Sequence, residues 1–329
     1  MIYYSTFITG FDQKIADFLK QDLADVRIHD VMAGAVVYET SAEIRHLLTL
    51  KYLNNTFLVI HNASGGMESL AKAIITQKWQ LDPALIPFKA FKTFISQESQ
   101  LTSLPKNIQY DLIEKIKRVT RRAYDVFRAQ GEFWLMLRHT GAGYFMLRLS
   151  QNKKKTQKGE LRPELAHILC RLSNPKAEDV FCDPFCGSGA IALERSLIGR
   201  YRGIFAMDID ETAVCALKEK TKHIKGAAFA RSFFIKKRDF FNNSFESRFL
   251  DAIVTDPPWG LYQPIPDDFY PRFMLEAGRV IKQKGRLVLL TKRDQITPKE
   301  AVGFRVLEQY DILLSGQKAS VWVFERNGI

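Results

Sequence analysis

The feature that most limits the fold of this chain is a pair of prolines directly after an apolar run. Residues 252–254 (Ala-Ile-Val) are typical of a strand that is buried on both faces. Pro257 and Pro258 cannot donate backbone hydrogen bonds, so the strand must end before them. Pro257 also keeps Asp256 out of helical geometry. The sequence therefore predicts an open α/β sheet with an acidic side chain at the carboxyl end of a strand, which is the edge where ligands bind in such sheets.

Asp256 and the residues after it suit the methylation of an exocyclic amine on a nucleobase. Such a nitrogen is a weak nucleophile, because its lone pair is delocalised into the ring. The Asp256 carboxylate and a carbonyl of Pro257 or Pro258 could accept its two N–H bonds, and Trp259 could stack on the base, a contact worth roughly 1–3 kcal/mol. Such a site would act mainly through positioning and electrostatics. A Pro-Pro turn with a solvated Asp256 is the alternative that this motif alone leaves open.

The charge of the chain favours a polyanionic partner. Its 329 residues carry a formal net charge of +12, with a pI of about 9.4, although an ordinary basic protein would show the same balance. The four cysteines lack the spacing and histidine partners of a zinc site, so no metal is predicted. No run of 18 apolar residues and no signal pattern occur. We therefore expect a cytoplasmic protein with reduced thiols and no membrane partner.

A glycine turn between a strand and a helix marks a second candidate ligand site. The strand at 179–182 leads into Asp183, and the turn at 183–189 contains Gly187 and Gly189 before a helix from Ala190. This arrangement brings backbone N–H groups against a ligand. It differs from the dinucleotide pattern G-x-G-x-x-G, but the preceding acid and the flanking strand and helix make it more specific than a lone Gly-x-Gly.

Two further acids are predicted to end strands. Asp208 follows the strand at 203–207, at about the 20-residue interval expected between a glycine loop and a ribose-binding carboxylate. Asp210 should cap the next helix. Asp239 ends a third strand and could accept from the amino group of adenine, with Phe240 against the ring. Each acid alone is more often a cap or turn residue, but acids at three successive strand ends favour one shared site.

The first 150 residues show a different alternation of strands and helices, which has the β-α-β-β-α-β order of a ferredoxin-like fold. The predicted elements are a strand at 3–8, a helix at 11–23, two strands within 26–40, a helix at 41–53 capped by Ser41, a strand at 57–60 and a helix at 67–78. A basic helix at 110–124 and a hairpin formed by 133–138 and 144–149 follow.

Clusters of basic residues supply the candidate RNA contacts. The basic helix carries Arg121 and Arg122, and the polar stretch at 151–159 contains Lys153, Lys154 and Lys155. Arg162 lies at the start of the next helix. Such cations can bind phosphates in a salt-dependent manner that does not depend on base sequence. A solvated helix face and a plain linker are equally consistent with these patterns.

The two halves of the chain resemble two known families. Residues 1–150 resemble a ferredoxin-like leader followed by the THUMP module of RNA-modifying enzymes, on their element order, basic helix and closing hairpin with Tyr144 and Arg148. Residues 161–329 resemble the Rossmann-like S-adenosylmethionine-dependent methyltransferases. Residues 183–189 are similar to their first motif, and 256–259 are similar to the (Asn/Asp)-Pro-Pro-aromatic motif of amine-methylating members. Residues 151–160 would then be a basic linker.

The resemblance implies a seven-stranded sheet, a cofactor and a set of site residues. Residues 285–290 would form strand five, and 305–314 would pair with 319–325 as the closing antiparallel strands. The implied contacts to S-adenosylmethionine are Asp183, Phe185, Gly187, Gly189, Asp208 on the ribose, and Asp239 with Phe240 at the adenine. Asp256, Pro257, Pro258 and Trp259 would hold the target base. The THUMP module of that family grips the single-stranded 3′ end of tRNA.

Among methyltransferases, the chain resembles tRNA guanine-N2 methyltransferases in three features: the THUMP-type leader, Leu161-Arg162-Pro163 before the glycine turn, and Asp-Pro-Pro-Trp-Gly. The implied reaction is methylation of a guanosine flipped out of its stem, at acceptor-stem position 6 in preference to position 10, by a monomer or weak homodimer. An adenine-N6 methyltransferase acting on DNA or ribosomal RNA is the leading alternative. A non-catalytic RNA-binding protein on a methyltransferase frame is a second one. Protein glutamine methyltransferases use Asn-Pro-Pro-Tyr, whereas this chain has Asp256 and Trp259 at the two variable positions, which counts against that class.

Overall fold

The computed structural model describes residues 1–98, 100–151, 160–224, 232–260, 264–297, 301–314 and 316–328. The chain divides into two units by its internal contacts. The N-terminal unit contains Met1–Phe7 and Asp12–Lys153, and the C-terminal unit contains Ile8–Phe11 and Lys154–Ile329. Most of the predicted linker, including Lys153, Lys154 and Lys155, lies outside the described residues.

The N-terminal unit begins with the predicted ferredoxin-like arrangement. Its elements are β1 (Ile2–Thr6), α1 (Asp12–Asp22), β2 (Arg27–Met32), β3 (Ala35–Glu39), α2 (Ile44–Leu47) and β4 (Asn55–Ser64). The strands pair antiparallel in the order β2-β3-β1-β4. Helix α1 forms because Ile15, Phe18 and Leu19 fall on one face at helical spacing, and all three are buried. The predicted element order of this region is therefore confirmed.

The predicted helix at 41–53 is wrong over most of its length, because only the four residues of α2 are α-helical. Ser41 does not cap it. The backbone N–H and the hydroxyl of Ser41 both donate to Asp25 Oδ2, at 2.7 and 2.5 Å, while Thr40 Oγ1 donates to Asp25 Oδ1 at 2.5 Å. These hydrogen bonds lower the pKa of Asp25 to about 2. The Ser41 hydroxyl is thus directed at Asp25, and helix α2 begins after Glu43 without a side-chain cap.

The rest of the N-terminal unit extends the same sheet. Its elements are α3 (Met67–Thr76), a 3-10 turn (Pro83–Leu85), β5 (Ala90–Gln97), β6 (Gln100–Leu101), α4 (Lys106–Thr120), β7 (Ala123–Tyr124), β8 (Gly131–Leu137) and β9 (Ala142–Arg148). Strand β9 pairs with β4, so the order continues as β4-β9-β8-β5-β6, and β7 pairs with β5. The predicted hairpin is the β8–β9 pair.

The basic helix α4 begins and ends earlier than the predicted range of 110–124. It ends at Thr120 because Arg121 adopts a left-handed conformation, with φ of +57°, and caps the helix. Ala123 N then donates to Lys89 O at 3.2 Å, which starts the short pairing of β7 with β5. Arg121 and Arg122 therefore lie in the connection between α4 and β7 and not on the helix.

The C-terminal unit is a doubly wound α/β sheet. Its elements are α5 (Pro163–Leu172), β10 (Val180–Asp183), α6 (Ala190–Ile198), β11 (Gly203–Asp208), α7 (Glu211–Thr221), β12 (Phe233–Lys237), β13 (Leu250–Thr255), α8 (Phe269–Val280), β14 (Ile281–Lys292), β15 (Phe304–Leu314) and β16 (Gln317–Arg326). The strand order is β12-β11-β10-β13-β14-β16-β15, and only the pairings of β16 are antiparallel. The predicted Rossmann-like sheet and its closing antiparallel pair are confirmed.

The sheet of the C-terminal unit places a ligand-binding edge next to β10. The strand order reverses there, because the chain proceeds from β10 through β11 to β12 on one side and from β13 to β14 on the other. In open α/β sheets, ligands bind outside the carboxyl ends of the strands at this reversal. All four residues of β10 are buried, and so are five of the six in β13, which explains why these strands are apolar runs in the sequence.

Candidate active site

Three acidic residues lie at the carboxyl ends of neighbouring strands. Asp183 is the last residue of β10, Asp208 is the last residue of β11, and Asp256 directly follows β13. Thr255, which ends β13, donates its hydroxyl to Asp183 Oδ1 at 2.8 Å, and both residues are at most 1% exposed. The structure thus brings the glycine turn and the Pro-Pro turn to one edge of the sheet.

Burial raises the pKa of two of these acids, Asp183 and Asp256. Desolvation raises the pKa of Asp183 to about 8, and the nearby charges of Asp256 and Asp208 act in the same direction, against the hydrogen bond from Thr255. Desolvation likewise raises the pKa of Asp256 to about 7, although Trp259 donates to it and the residue as a whole is only half-buried. A positively charged ligand would favour the ionised form of both groups. The edge is therefore suited to a cationic ligand.

The glycine turn is fixed by backbone hydrogen bonds and by Asp208. Cys186 N donates to Met207 O at 2.8 Å, and Gly189 N donates to Cys186 O at 2.7 Å. Gly187 N donates to Asp208 Oδ2 at 2.8 Å, while Asp210 N donates to Asp208 Oδ1 at 2.9 Å. Asp208 thus holds the turn in place, which the sequence did not suggest. Its carboxylate keeps further lone pairs with which to accept hydrogen bonds from a ligand.

The two glycines of the turn serve different purposes. Both have left-handed conformations, with φ of +46° at Gly187 and +79° at Gly189. A Cβ on Gly189 would lie 2.3 Å from Leu217 Cδ1, so packing against α7 requires glycine there. A Cβ on Gly187 would meet no atom within 4 Å. Gly187 therefore borders open space, as expected where a ligand approaches the backbone closely.

Asp239 lies beside this edge, at the end of the loop that follows β12. It caps a short 3-10 turn (Phe240–Asn242) by accepting from Phe241 N at 2.9 Å. Arg238 N, just before it, donates to Asp208 O at 2.9 Å and ties the loop to β11. Asp210 caps α7 by accepting from Thr212 N, as predicted.

Phe240, which is predicted to contact the adenine of the cofactor, lies in the core. Phe240 is 1% exposed, and its ring packs against Phe185 and Phe273, with centroids 6.2 and 5.5 Å apart. A contact between Phe240 and an adenine would require its ring to leave this core. Phe185 is only partly buried, and Phe269 packs against it as well.

The Pro-Pro turn is held by side chains from two other segments. Trp259 Nε1 donates to Asp256 Oδ1 at 2.8 Å, so the ring orients the carboxylate. Gln295, which follows β14, donates through Nε2 to Trp259 O at 3.0 Å. Tyr270 on α8 places its hydroxyl 3.0 Å from Gln295 Oε1 and 3.4 Å from Pro258 O. Sequence reasoning missed Thr255, Tyr270 and Gln295. Only Thr255 had a signal, because it immediately precedes Asp256.

Of the basic residues predicted to contact RNA, Arg121, Arg122 and Arg162 lie within the described ranges. Arg162 is half-exposed, and its Nε lies 3.5 Å from the buried Glu164 Oε2 in the C-terminal unit. Arg121 is exposed in the N-terminal unit, whereas Arg122 donates through Nη2 to Ile86 O at 3.2 Å. Within the described ranges, no helix combines the length and the hydrophobicity that crossing a bilayer demands.

Comparisons with known proteins agree with this geometry. Residues 151–312 match the sequence model of the RMKL-like methyltransferase domain, UPF0020. A probable tRNA (guanine(10)-N2)-dimethyltransferase of Methanothermococcus thermolithotrophicus is 30% identical over 157 residues, which are 46% of this chain and 90% of that protein. The tRNA (guanine(10)-N2)-dimethyltransferase of Methanothermobacter thermautotrophicus is 35% identical over 103 residues, 31% of this chain. The chain spans only 29% of the length of that second relative.

A solved structure matches the whole chain. The crystal structure of TrmN from Thermus thermophilus aligns with a TM-score of 0.79 over 99% of both chains, at 21% sequence identity. At this identity the match shows a common fold.

Proposed function

The chain belongs to the family of tRNA guanine-N2 methyltransferases, and from this premise we propose that it transfers the methyl group of S-adenosylmethionine to the N2 amine of a guanosine in tRNA. The observation that carries the proposal is the Thr255–Asp183 hydrogen bond. This hydrogen bond joins the Pro-Pro turn, which suits an amine, to the glycine turn, which suits a methyl donor. The two reactants would therefore meet at one strand edge.

The cofactor fits the glycine turn on three grounds. The open side of Gly187 leaves room for a ligand against the backbone. A cation beside Asp183 would favour the ionised form of its carboxyl, and S-adenosylmethionine carries a sulfonium and an ammonium group. Asp208 has acceptor capacity left for ribose hydroxyls, and Asp239 is the acceptor proposed for the adenine amine. When bound, the cofactor supplies an electrophilic methyl group on sulfur.

The Pro-Pro turn would orient the target amine. Trp259 occupies Asp256 Oδ1, which leaves Oδ2 to accept one N–H of the guanine amine. A carbonyl of Pro257 or Pro258 would accept the other N–H, and the Trp259 ring would stack on the flipped base. On becoming methylated, the amine would have to release one proton. Asp256, with its pKa near 7, is suited to take this proton and pass it to water.

The N-terminal unit would bind the tRNA, by the resemblance of residues 1–150 to a ferredoxin-like leader with a THUMP module. The exposed Arg121 is a candidate phosphate contact there, and Arg162 is one in the C-terminal unit. We propose position 6 of the acceptor stem as the target in preference to position 10. Transcripts in which either guanosine is replaced by adenosine would separate these two targets.

Two acid-to-alanine variants test the assignment of roles. Asp256→Ala should bind S-adenosylmethionine normally in calorimetry and lose methyl transfer to tRNA by orders of magnitude. Asp208→Ala should instead weaken cofactor binding, because it removes both the ribose acceptor and the partner of Gly187 N. Asp267→Ala, at an exposed acid, is the matched control for both measurements. Normal transfer by Asp256→Ala would remove that carboxylate from the mechanism.

A further inference from the structure

The Pro-Pro turn is held from outside by two side chains that no sequence motif contains. Two successive carbonyl groups of the turn, those of Pro258 and Trp259, lie within hydrogen-bonding distance of Tyr270 and Gln295. Tyr270 comes from the first turn of α8, and Gln295 comes from the turn after β14. The backbone position of Trp259 is therefore fixed by elements that follow it in the chain.

The hydrogen bonds of Gln295 leave its side chain only one orientation. Its Oε1 accepts from Lys292 N at 3.0 Å and from the Tyr270 hydroxyl at 3.0 Å. A flipped amide would turn its NH₂ group toward the donor Lys292 N and its oxygen toward the acceptor Trp259 O, and would lose both of those bonds. The Nε2 group must therefore face Trp259 O, to which it donates at 3.0 Å.

Tyr270 is suited to remain a hydrogen-bond donor. The residue is 5% exposed, and burial raises the pKa of its hydroxyl well above the usual value, so the proton stays in place at neutral pH. The hydroxyl lies closer to Gln295 Oε1 than to Pro258 O, so its single proton serves mainly to orient the amide. Tyr270 thus acts on the turn largely through Gln295.

We propose that Tyr270 and Gln295 are positioning residues, which set the place of Trp259 and, through its indole N–H, the orientation of the Asp256 carboxylate. The chain of contacts runs from Tyr270 to Gln295, then to Trp259 O, and from Trp259 Nε1 to Asp256 Oδ1. The effect on the reaction rests on the proposed function. The effect on Trp259 does not, and it can be measured without cofactor or RNA.

Two conservative variants test the proposal. Gln295→Glu keeps an oxygen to accept from Lys292 N and Tyr270, but replaces the donor to Trp259 O by a second oxygen. Tyr270→Phe removes only the hydroxyl. Gln309→Glu and Tyr310→Phe make the same changes on β15, two strands away from β14 in the sheet, and serve as matched controls.

The first readout is the indole ¹H–¹⁵N resonance of Trp259 in the ligand-free protein. The chain has four tryptophans, and Trp259→Phe identifies the signal of this one. We expect Gln295→Glu and Tyr270→Phe to shift or broaden the Trp259 resonance and to leave the other three in place. Both controls should leave the Trp259 resonance unchanged. An unmoved Trp259 resonance in both test variants would overturn the proposal, whatever the activity of the protein.

The second readout is the steady-state kinetics of methyl transfer. A small displacement of a reacting group costs up to about 100-fold in rate, so we expect kcat to fall roughly 10- to 100-fold while the Kd for S-adenosylmethionine changes less than about twofold. A shifted Trp259 resonance with normal kcat would overturn the positioning role. If the wild-type protein methylates no guanosine, the proposed function fails, and the resonance experiment alone decides whether the two residues hold Trp259.

Discussion

Replacing Thr255 with valine should destabilise the C-terminal unit, because the hydroxyl of Thr255 is a donor to the buried carboxyl of Asp183. The two atoms are 2.8 Å apart, and both residues are at most 1% exposed. Valine fills nearly the same volume but leaves Asp183 without this donor, which costs about 1–3 kcal/mol of unfolding free energy. For a unit of this size, 1 kcal/mol corresponds to about 2–4 °C, so we expect Tm to fall by roughly 2–12 °C.

The stability lost in Thr255→Val should be larger at high pH than at low pH. The pKa of Asp183 is raised from 3.8 to about 8 in the folded protein, so the folded state holds a proton that the unfolded state releases, and stability falls as pH rises from about 4 through about 8. The Thr255 hydroxyl favours the ionised carboxyl and opposes this fall. Differential scanning calorimetry should therefore find a larger Tm difference between wild type and Thr255→Val at pH 9 than at pH 5.

Thr255→Ser is the matched control for this prediction. Serine keeps the hydroxyl and loses one buried methyl group, which costs about 0.8 kcal/mol at either pH. If Thr255→Val and Thr255→Ser lose the same stability, or if the loss in Thr255→Val is equal at both pH values, the hydrogen bond does not join the two turns as described.

Two further predictions concern the glycine turn and Asp256. Gly189→Ala should destabilise the protein strongly, because its Cβ would lie 2.3 Å from Leu217 Cδ1. Gly187→Ala should cost only about 1 kcal/mol of unfolding free energy for its left-handed φ and should instead weaken cofactor binding. Thermal unfolding and calorimetry on both variants check this, and equal Tm values would contradict it. At saturating S-adenosylmethionine, kcat/KM for tRNA should rise with pH through about 7, because only ionised Asp256 accepts fully from an amine. Asp256→Asn, which cannot titrate, should lose this rise. A pH-independent wild type would contradict the assignment.

The strands and acids of the site could be predicted from sequence for a physical reason. Strands β10 and β13 are buried along almost their whole length, so they stand out as apolar runs. Parallel strands end at one edge of a sheet, so Asp183, Asp208 and Asp256 had to lie near each other once these strands were identified. The glycine turn was recognisable because left-handed conformations at Gly187 and Gly189 demand that residue type.

The contacts of Tyr270 and Gln295 could not be predicted, because they depend on how α8 and the end of β14 pack around the Pro-Pro turn. Neither residue lies in a motif, and Gln295 is 36 positions from Trp259 in the chain. The error at 41–53 has a similar origin, since the Ser41 hydroxyl is directed at Asp25, 16 positions earlier in the chain, and does not cap α2. The contact of Phe240 with a cofactor stays a prediction, because an aromatic residue after a strand-end acid gives the same sequence pattern whether it packs in the core or faces a ligand.

The identity of the methylated nucleoside is the strongest test of the proposed reaction. The protein is incubated with S-adenosylmethionine labelled in its methyl group and with unmodified tRNA, and the digested nucleosides are separated by mass spectrometry. We expect the label in N2-methylguanosine for the wild type and none for Asp256→Ala. Label in N6-methyladenosine would contradict the guanosine assignment, and no label in any nucleoside would contradict the claim that this strand edge joins a methyl donor to a base amine.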